Sequence, residues 1–159
     1  MRKRVVVVLV SLAALLAASP NARTQSTDPW MGTWKVNLAK STYKPGPKPT
    51  VAGTVKMEPM AGGFKTTIDA TNPQGQPTHT ETVGKFDGKD NPVKGDPNRD
   101  TAALNKIDDY TIEIVNKKDG KVTTRARAVF SRDGKTRTQT TQGTNTQGMK
   151  VNNTIVYEK

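Results

Sequence analysis

YTIEIVNKKDGKVTTRARAVFSRDGKTRTQTTQ, residues 110–142, holds alternating apolar and polar side chains broken by two copies of x-Asp-Gly-Lys, at Lys118–Lys121 and Arg132–Lys135. Alternation with period two is the mark of a strand with one buried face, and Asp-Gly between such runs marks a hairpin. The register of these hairpins decides what faces inward. A two-residue turn on Asp119-Gly120 would set Ile114 against Arg125 and Ile112 against Arg127, placing charge on the apolar face. A three-residue loop with Gly in the left-handed region sets Ile114 against Thr124, Ile112 against Ala126 and Tyr110 against Ala128, with Glu113 opposite Arg125 outside. A one-residue slip turns a strand over, so the three-residue loop is the expected register. The same loop at Arg132–Gly134 sets Phe130 against Thr136, Ala128 against Thr138 and Ala126 against Thr140. Arg125, Arg127, Val129, Arg137 and Gln139 then point outward.

The inner wall expected here is small: Ala126, Ala128, Thr136, Thr138 and Thr140. A packed core ordinarily uses larger residues. Two interiors fit this wall. One is a barrel with room for a ligand, and the other is a narrow barrel filled by Trp34, Phe64, Tyr110 and Phe130.

Working outward, the same texture runs from Trp30 to the end of the chain. Strands are expected at 33–38, 51–58, 64–70, 78–86, 101–107, 110–117, 121–131, 135–142 and 150–158. Residues 36–43 are the best helix candidate, one or two turns at most before Pro45 and Pro47. The longest irregular stretch is expected at 87–100, around Pro92, Gly95 and Pro97. The fold class is therefore all-β: an antiparallel up-and-down barrel of about eight to ten strands.

At the N-terminus Arg2, Lys3 and Arg4 precede an apolar run from Val5 to Ala18, interrupted only by Ser11, and then Ser19, Pro20, Asn21 and Ala22. This order of basic, apolar and small-residue segments reads as a secretory signal peptide over 1–22. The run falls short of the ~20 apolar residues that span a bilayer. A flexible lead-in, 23–29, and one barrel domain, 30–159, complete the organisation, with the protein expected in the periplasm or secreted.

Cysteine is absent. That excludes a disulfide scaffold, a thiol nucleophile and cysteine metal sites. The formal charge is +11, with 33% hydrophobic and 5% aromatic residues. Lys and Arg are dispersed, never five or six in a row, and no aromatic-rich basic stripe resembles a nucleic-acid platform. A specific nucleic-acid partner is not expected, and a monomer is.

Gly32-Thr33-Trp34 on the first strand, the strand meander, and the closing Thr154-Ile155-Val156-Tyr157-Glu158-Lys159 together resemble the calycin group of lipocalins, fatty-acid-binding proteins and avidins. The resemblance is to small secreted bacterial lipocalin-like proteins. It implies that Trp34 closes the barrel floor. Fatty-acid-binding proteins end with Arg-x-Tyr, whose side chains hold a ligand carboxylate. Here Tyr157 matches, while Ile155 stands at the arginine position. Their helical lid has no equivalent in the short, proline-rich 44–50. Avidin's tryptophan-rich pocket has no counterpart, since the tryptophans are Trp30 and Trp34.

Catalytic signatures are weak. His79, the single histidine, shares a strand face with Glu81, which acid–base chemistry would need but which more often is a solvated face. No Ser occupies a Gly-x-Ser-x-Gly elbow. Asp96, Asn98 and Asp100 begin like a calcium loop, but Thr101 and Ile107 stand where Gly and a bidentate Glu belong. No enzyme, metal or cofactor is expected. The expected function is non-catalytic binding of a small, partly apolar molecule, with Tyr110, Ile112, Ala126, Ala128, Phe130, Thr138 and Thr140 as ligand-binding residues above Trp34. Apolar burial at about 25 cal/mol per Å² would drive it. The rival expectation is an envelope-associated protein whose basic exterior, Lys121, Arg125, Arg127 and Arg137, contacts anionic lipid, glycan or protein.

Overall fold

The computed structural model describes residues 28–159 apart from 47, 50 and 73. The signal-peptide reading lies outside the described residues, as does most of the lead-in. Among the described residues there is no helix. Ten strands follow in order: β1 (Gly32–Thr42), β2 (Thr54–Met60), β3 (Gly63–Thr71), β4 (Pro77–Gly84), β5 (Asp87–Lys94), β6 (Thr101–Asp108), β7 (Thr111–Lys118), β8 (Lys121–Phe130), β9 (Thr136–Thr144) and β10 (Lys150–Glu158). Each pairs antiparallel with its neighbour in sequence, and β1 pairs with β10, closing the barrel. The all-β, up-and-down expectation holds, and the architecture is consistent with a lipocalin-like fold in general.

Two expectations on local structure are corrected. Residues 36–43 are not helical: β1 continues to Thr42, with its register against β10 shifting between Asn37 and Thr42. The Ser41 hydroxyl there donates to the Asn37 carbonyl and accepts from the Val156 N–H, so an inserted hydroxyl repairs the ladder. The stretch 87–94 is a strand. Its signal is hidden because Val93 is its one aliphatic side chain, and because only Glu81–Lys94 and Thr82–Val93 pair it to β4. So sparse a ladder tolerates Pro92, which lacks an N–H.

The hairpins settle the inner face. Asp119 and Gly120 both have positive φ, 48° and 73°, so the first is a two-residue type I′ turn with Lys118 opposite Lys121. The expected three-residue loop is replaced by that turn plus a bulge at Thr123, because Asn116 pairs with Thr124 while Lys117 pairs with Val122. Gly143 lies across from the bulge, where a Cβ would strike the Thr123 carbonyl. Ile112 faces Ala128, Ile114 faces Ala126, and Glu113 faces Arg127 rather than Arg125. Partners move by two, so facing is kept. Ala126 and Ala128 are inside, and Arg125 and Arg127 are exposed outside.

The second hairpin is one residue longer than expected. Ser131 N–H donates to the Thr136 carbonyl, and the Ser131 hydroxyl accepts from the Thr136 N–H. These bonds enclose a four-residue loop, 132–135. Phe130 therefore faces Arg137, Ala128 faces Gln139 and Ala126 faces Thr141. One extra residue turns β9 over. Thr138 and Thr140, expected inside, pair with Val129 and Arg127 on the outer face, while Arg137 and Gln139, expected outside, point in.

The core gathers at the end where β1 begins. Trp34 is fully buried, and its indole N–H donates to the Trp30 carbonyl at 3.0 Å. Phe130 lies edge-on to Trp34 and Trp30, and Phe64 stacks on Phe86 at 4.3 Å between centroids. Rings of this size each bury a large apolar area, which matters in a chain with few of them.

Candidate functional site

Above the aromatic end lies a cavity of about 100 Å³. Neither interior offered by the sequence holds throughout: Trp34, Phe64 and Phe130 fill one end without Tyr110, and the space above them is open. Its apolar wall comes from inward positions of β2, β3, β6, β7 and β8, including Val55, Met57, Ile68, Leu104, Ile112, Ala128 and Phe130. By proportion to a ~150 Å³ cavity that accepts benzene, such a space suits about four to six heavy atoms.

β9 contributes polar groups. Arg137 is 5% exposed. One of its terminal nitrogens donates to the Gln139 side-chain carbonyl, but its Nε and Nη1 have no hydrogen-bond partner. The guanidinium carbon sits 4.6 Å from the Tyr157 ring centroid and 5.6 Å from that of Phe130. Among the described residues no carboxylate lines the cavity. Burial pushes Arg137 below its ordinary value, and burial pushes the Tyr157 phenol up. A buried guanidinium held only by one amide and two ring faces is costly, by several kcal/mol for an ion without a counter-charge, and cation–π contact returns about 0.5–2 kcal/mol of that.

Tyr157 on β10 and Arg137 on β9 are direct cross-strand partners. The two side chains therefore face inward side by side across two strands rather than along one. No motif along one strand could show this, since the pairing depends on the length of the 132–135 loop.

Toward the opposite end the wall becomes polar. Arg99, from the β5–β6 connection, donates to Asp96 at 2.8 Å and to the Asn116 side-chain oxygen at 2.7 Å. Asn116 passes a hydrogen bond to Thr124 at 2.9 Å. Arg99, Asn116 and Gln139 line both the inner cavity and a wider vestibule of about 360 Å³. The cation at this mouth has its carboxylate; the one within has none.

Of the expected ligand-binding residues, Ile112, Ala128 and Phe130 line the cavity. Ala126 is buried beside it without lining it. Tyr110 lies at the β6–β7 turn, outside the cavity wall, with Arg132 over its ring at 5.6 Å. Thr138 and Thr140 are on the exterior, as the β9 register requires. Sequence reasoning missed Arg137, Gln139, Tyr157, Thr66 and Thr82 as cavity residues. The period-two patterns of β3 and β4 carried the last two, since Phe64, Thr66 and Ile68 share one face.

Elsewhere, Asp96, Asn98 and Asp100 serve turn chemistry. Asp96 accepts from the Asn98 N–H and Arg99, Asn98 accepts from Thr146, and Asp100 accepts from the Asp119 N–H. Among the described residues no three His, Cys, Asp or Glu side chains gather where a metal could sit. His79 is on the outer face, its Nδ1 2.6 Å from Asp69 and its Nε2 3.6 Å from Glu81.

Compared with models of known protein families the chain matches none, and comparison with curated proteins likewise gives no match.

Proposed function

We propose that the protein is a non-enzymatic binding barrel for a small, partly apolar anion, working outside the cytoplasm as the leader implies and related to the calycin group in the way its Gly-x-Trp strand suggests. One observation carries the reading: Arg137 is buried with two N–H groups unpartnered beside an apolar cavity. A carboxylate or similar acid head is the partner that fits a guanidinium, because it accepts two parallel hydrogen bonds and returns the missing charge. The apolar wall then takes the ligand body. The basic exterior is a weaker basis for function, because Arg137 is withdrawn from it and Glu113 faces Arg127.

The test is calorimetry and thermal shift with butyrate against 1-butanol. We expect butyrate to bind and raise the melting temperature, and butanol to do neither at equal concentration. Arg137→Met should abolish the response to butyrate. Equal binding of the alcohol, or binding of butyrate unchanged by Arg137→Met, would refute an anion site.

A further inference from the structure

The wall across from Arg137 is built of hydroxyls where hydrocarbon would fit. Thr66 on β3 and Thr82 on β4 are direct cross-strand partners, and both line the cavity. Thr80, one inward position along, is also buried. Valine has the same shape and stronger burial, so three inward threonines on neighbouring strands are not a packing solution. The Thr66 hydroxyl is buried with no hydrogen-bond partner. A buried polar group left unpaired costs roughly what its desolvation costs, and native interiors pair nearly all of theirs.

Position around the ring gives this patch its meaning. By the shorter way around the closed barrel, β3 is four strands from β9, close to the opposite wall. The cavity therefore has two polar poles that lack partners, Arg137 on one side and Thr66 on the other, with Val55, Leu104 and Ile112 between. We infer that the ligand is a short acid carrying a second, neutral hydrogen-bonding group, a hydroxy or oxo acid, whose acid head meets Arg137 and whose hydroxyl or carbonyl meets Thr66 and Thr82. This rests on the anion-binding reading above and names its ligand class. A threonine hydroxyl donates to a carbonyl and either donates to or accepts from a hydroxyl, so both members of the class are served. A second carboxylate is not, because no second cation stands at the Thr66 pole. A site that pairs a ligand hydroxyl discriminates against the analogue lacking it, since its own polar groups then stay unpaired.

The experiment compares butyrate with 3-hydroxypropionate, lactate and pyruvate, each of about six heavy atoms and so within the size the cavity takes, on the full chain, by calorimetry and by chemical-shift titration. At least one hydroxy or oxo acid should bind about fivefold to tenfold more tightly than butyrate. Thr66→Val should erase that preference, and Thr66→Ser should retain part of it. Without ligand, Thr66→Val should melt higher than the parent, because it removes an unpaired buried hydroxyl; this also shows that the variant folds. Butyrate binding with no preference for any of the three overturns this inference and leaves the anion site standing. A preference that survives Thr66→Val likewise overturns it. Failure of all four acids to bind removes the anion site and this inference together.

Discussion

At the end where β1 begins, every ring has a neighbour. Trp34, Trp30, Phe64, Phe86 and Phe130 interlock, and the Trp34 N–H is satisfied by the Trp30 carbonyl. Immediately above, on the same inner surface, Arg137 and Thr66 hold polar atoms with no partner. Among the described residues the aromatic end leaves one buried polar atom unpaired, the Trp30 indole N–H, so burial is mostly gain there and mostly cost above. The rings concentrate at one end, and aliphatic, small and polar inner positions shape the cavity above them. The lesson is a division of labour: packed rings at the aromatic end, and a cavity with unpaired polar atoms above it.

The largest expected effect tests the first half of that division. Trp34→Ala removes a fully buried ring and should destabilise by about 3–5 kcal/mol, as large core truncations do. Denaturant unfolding would measure it. A loss below about 1 kcal/mol would mean that the aromatic end is not where stability resides.

Arg137→Met tests the second half and has the opposite sign. Replacing a buried charge by a hydrophobe of similar length should raise the stability of the free protein by about 1–4 kcal/mol, the range found when buried ionic groups give way to well-packed apolar ones. Loss of stability would show instead that the contacts with Gln139, Tyr157 and Phe130 fully compensate the buried guanidinium, and the contrast between the two ends would disappear.

The closed end was legible in the sequence and the cavity was so only in part. Gly32-Thr33-Trp34 and the alternation of 110–130 lead to the barrel, the buried Trp34 and the inward Ala126 and Ala128. Those features depend on side-chain type along a single strand. The facing of β9 depends on whether the 132–135 loop has three residues or four. The hydroxyl of Ser131, which closes the longer loop, looks the same as any serine before a turn. The first hairpin keeps the expected facing, because a turn one residue shorter than the sequence predicts and a bulge at Thr123 together move partners by two. β5 is hidden from the sequence pattern for another reason. Its register shifts against β6 between Asp87 and Asp90, and it pairs with β4 at only two positions, so there is little buried face for alternation to report.

The smallest effect comes from the outer face of the β3–β4 wall, where a cation has what Arg137 lacks. His79 lies against Asp69 and near Glu81, both His79 and Asp69 being about 60% exposed. The hydrogen bond to Asp69, aided by the charges of Asp69 and Glu81, raises the imidazole above its ordinary 6.5, and desolvation opposes it. The lysine Lys65 beside Glu81 holds that carboxyl below its usual range, so it stays ionised through the window in which His79 titrates. A raised folded-state value means that protonated His79 favours the folded state. Its contribution is complete below about pH 6.5 and is lost as pH rises through the folded value. Because the group is solvated, the effect on melting should be slight. As the single histidine, its imidazole signals can be followed by NMR without ambiguity, and we expect a midpoint above 6.5. His79→Asn should melt slightly lower than the parent near pH 5.5 and equally near pH 9. A midpoint at or below 6.5, or a difference that grows toward alkaline pH, would show that the carboxylates do not hold the imidazole. Paired outside and unpaired inside would then no longer separate the two cations.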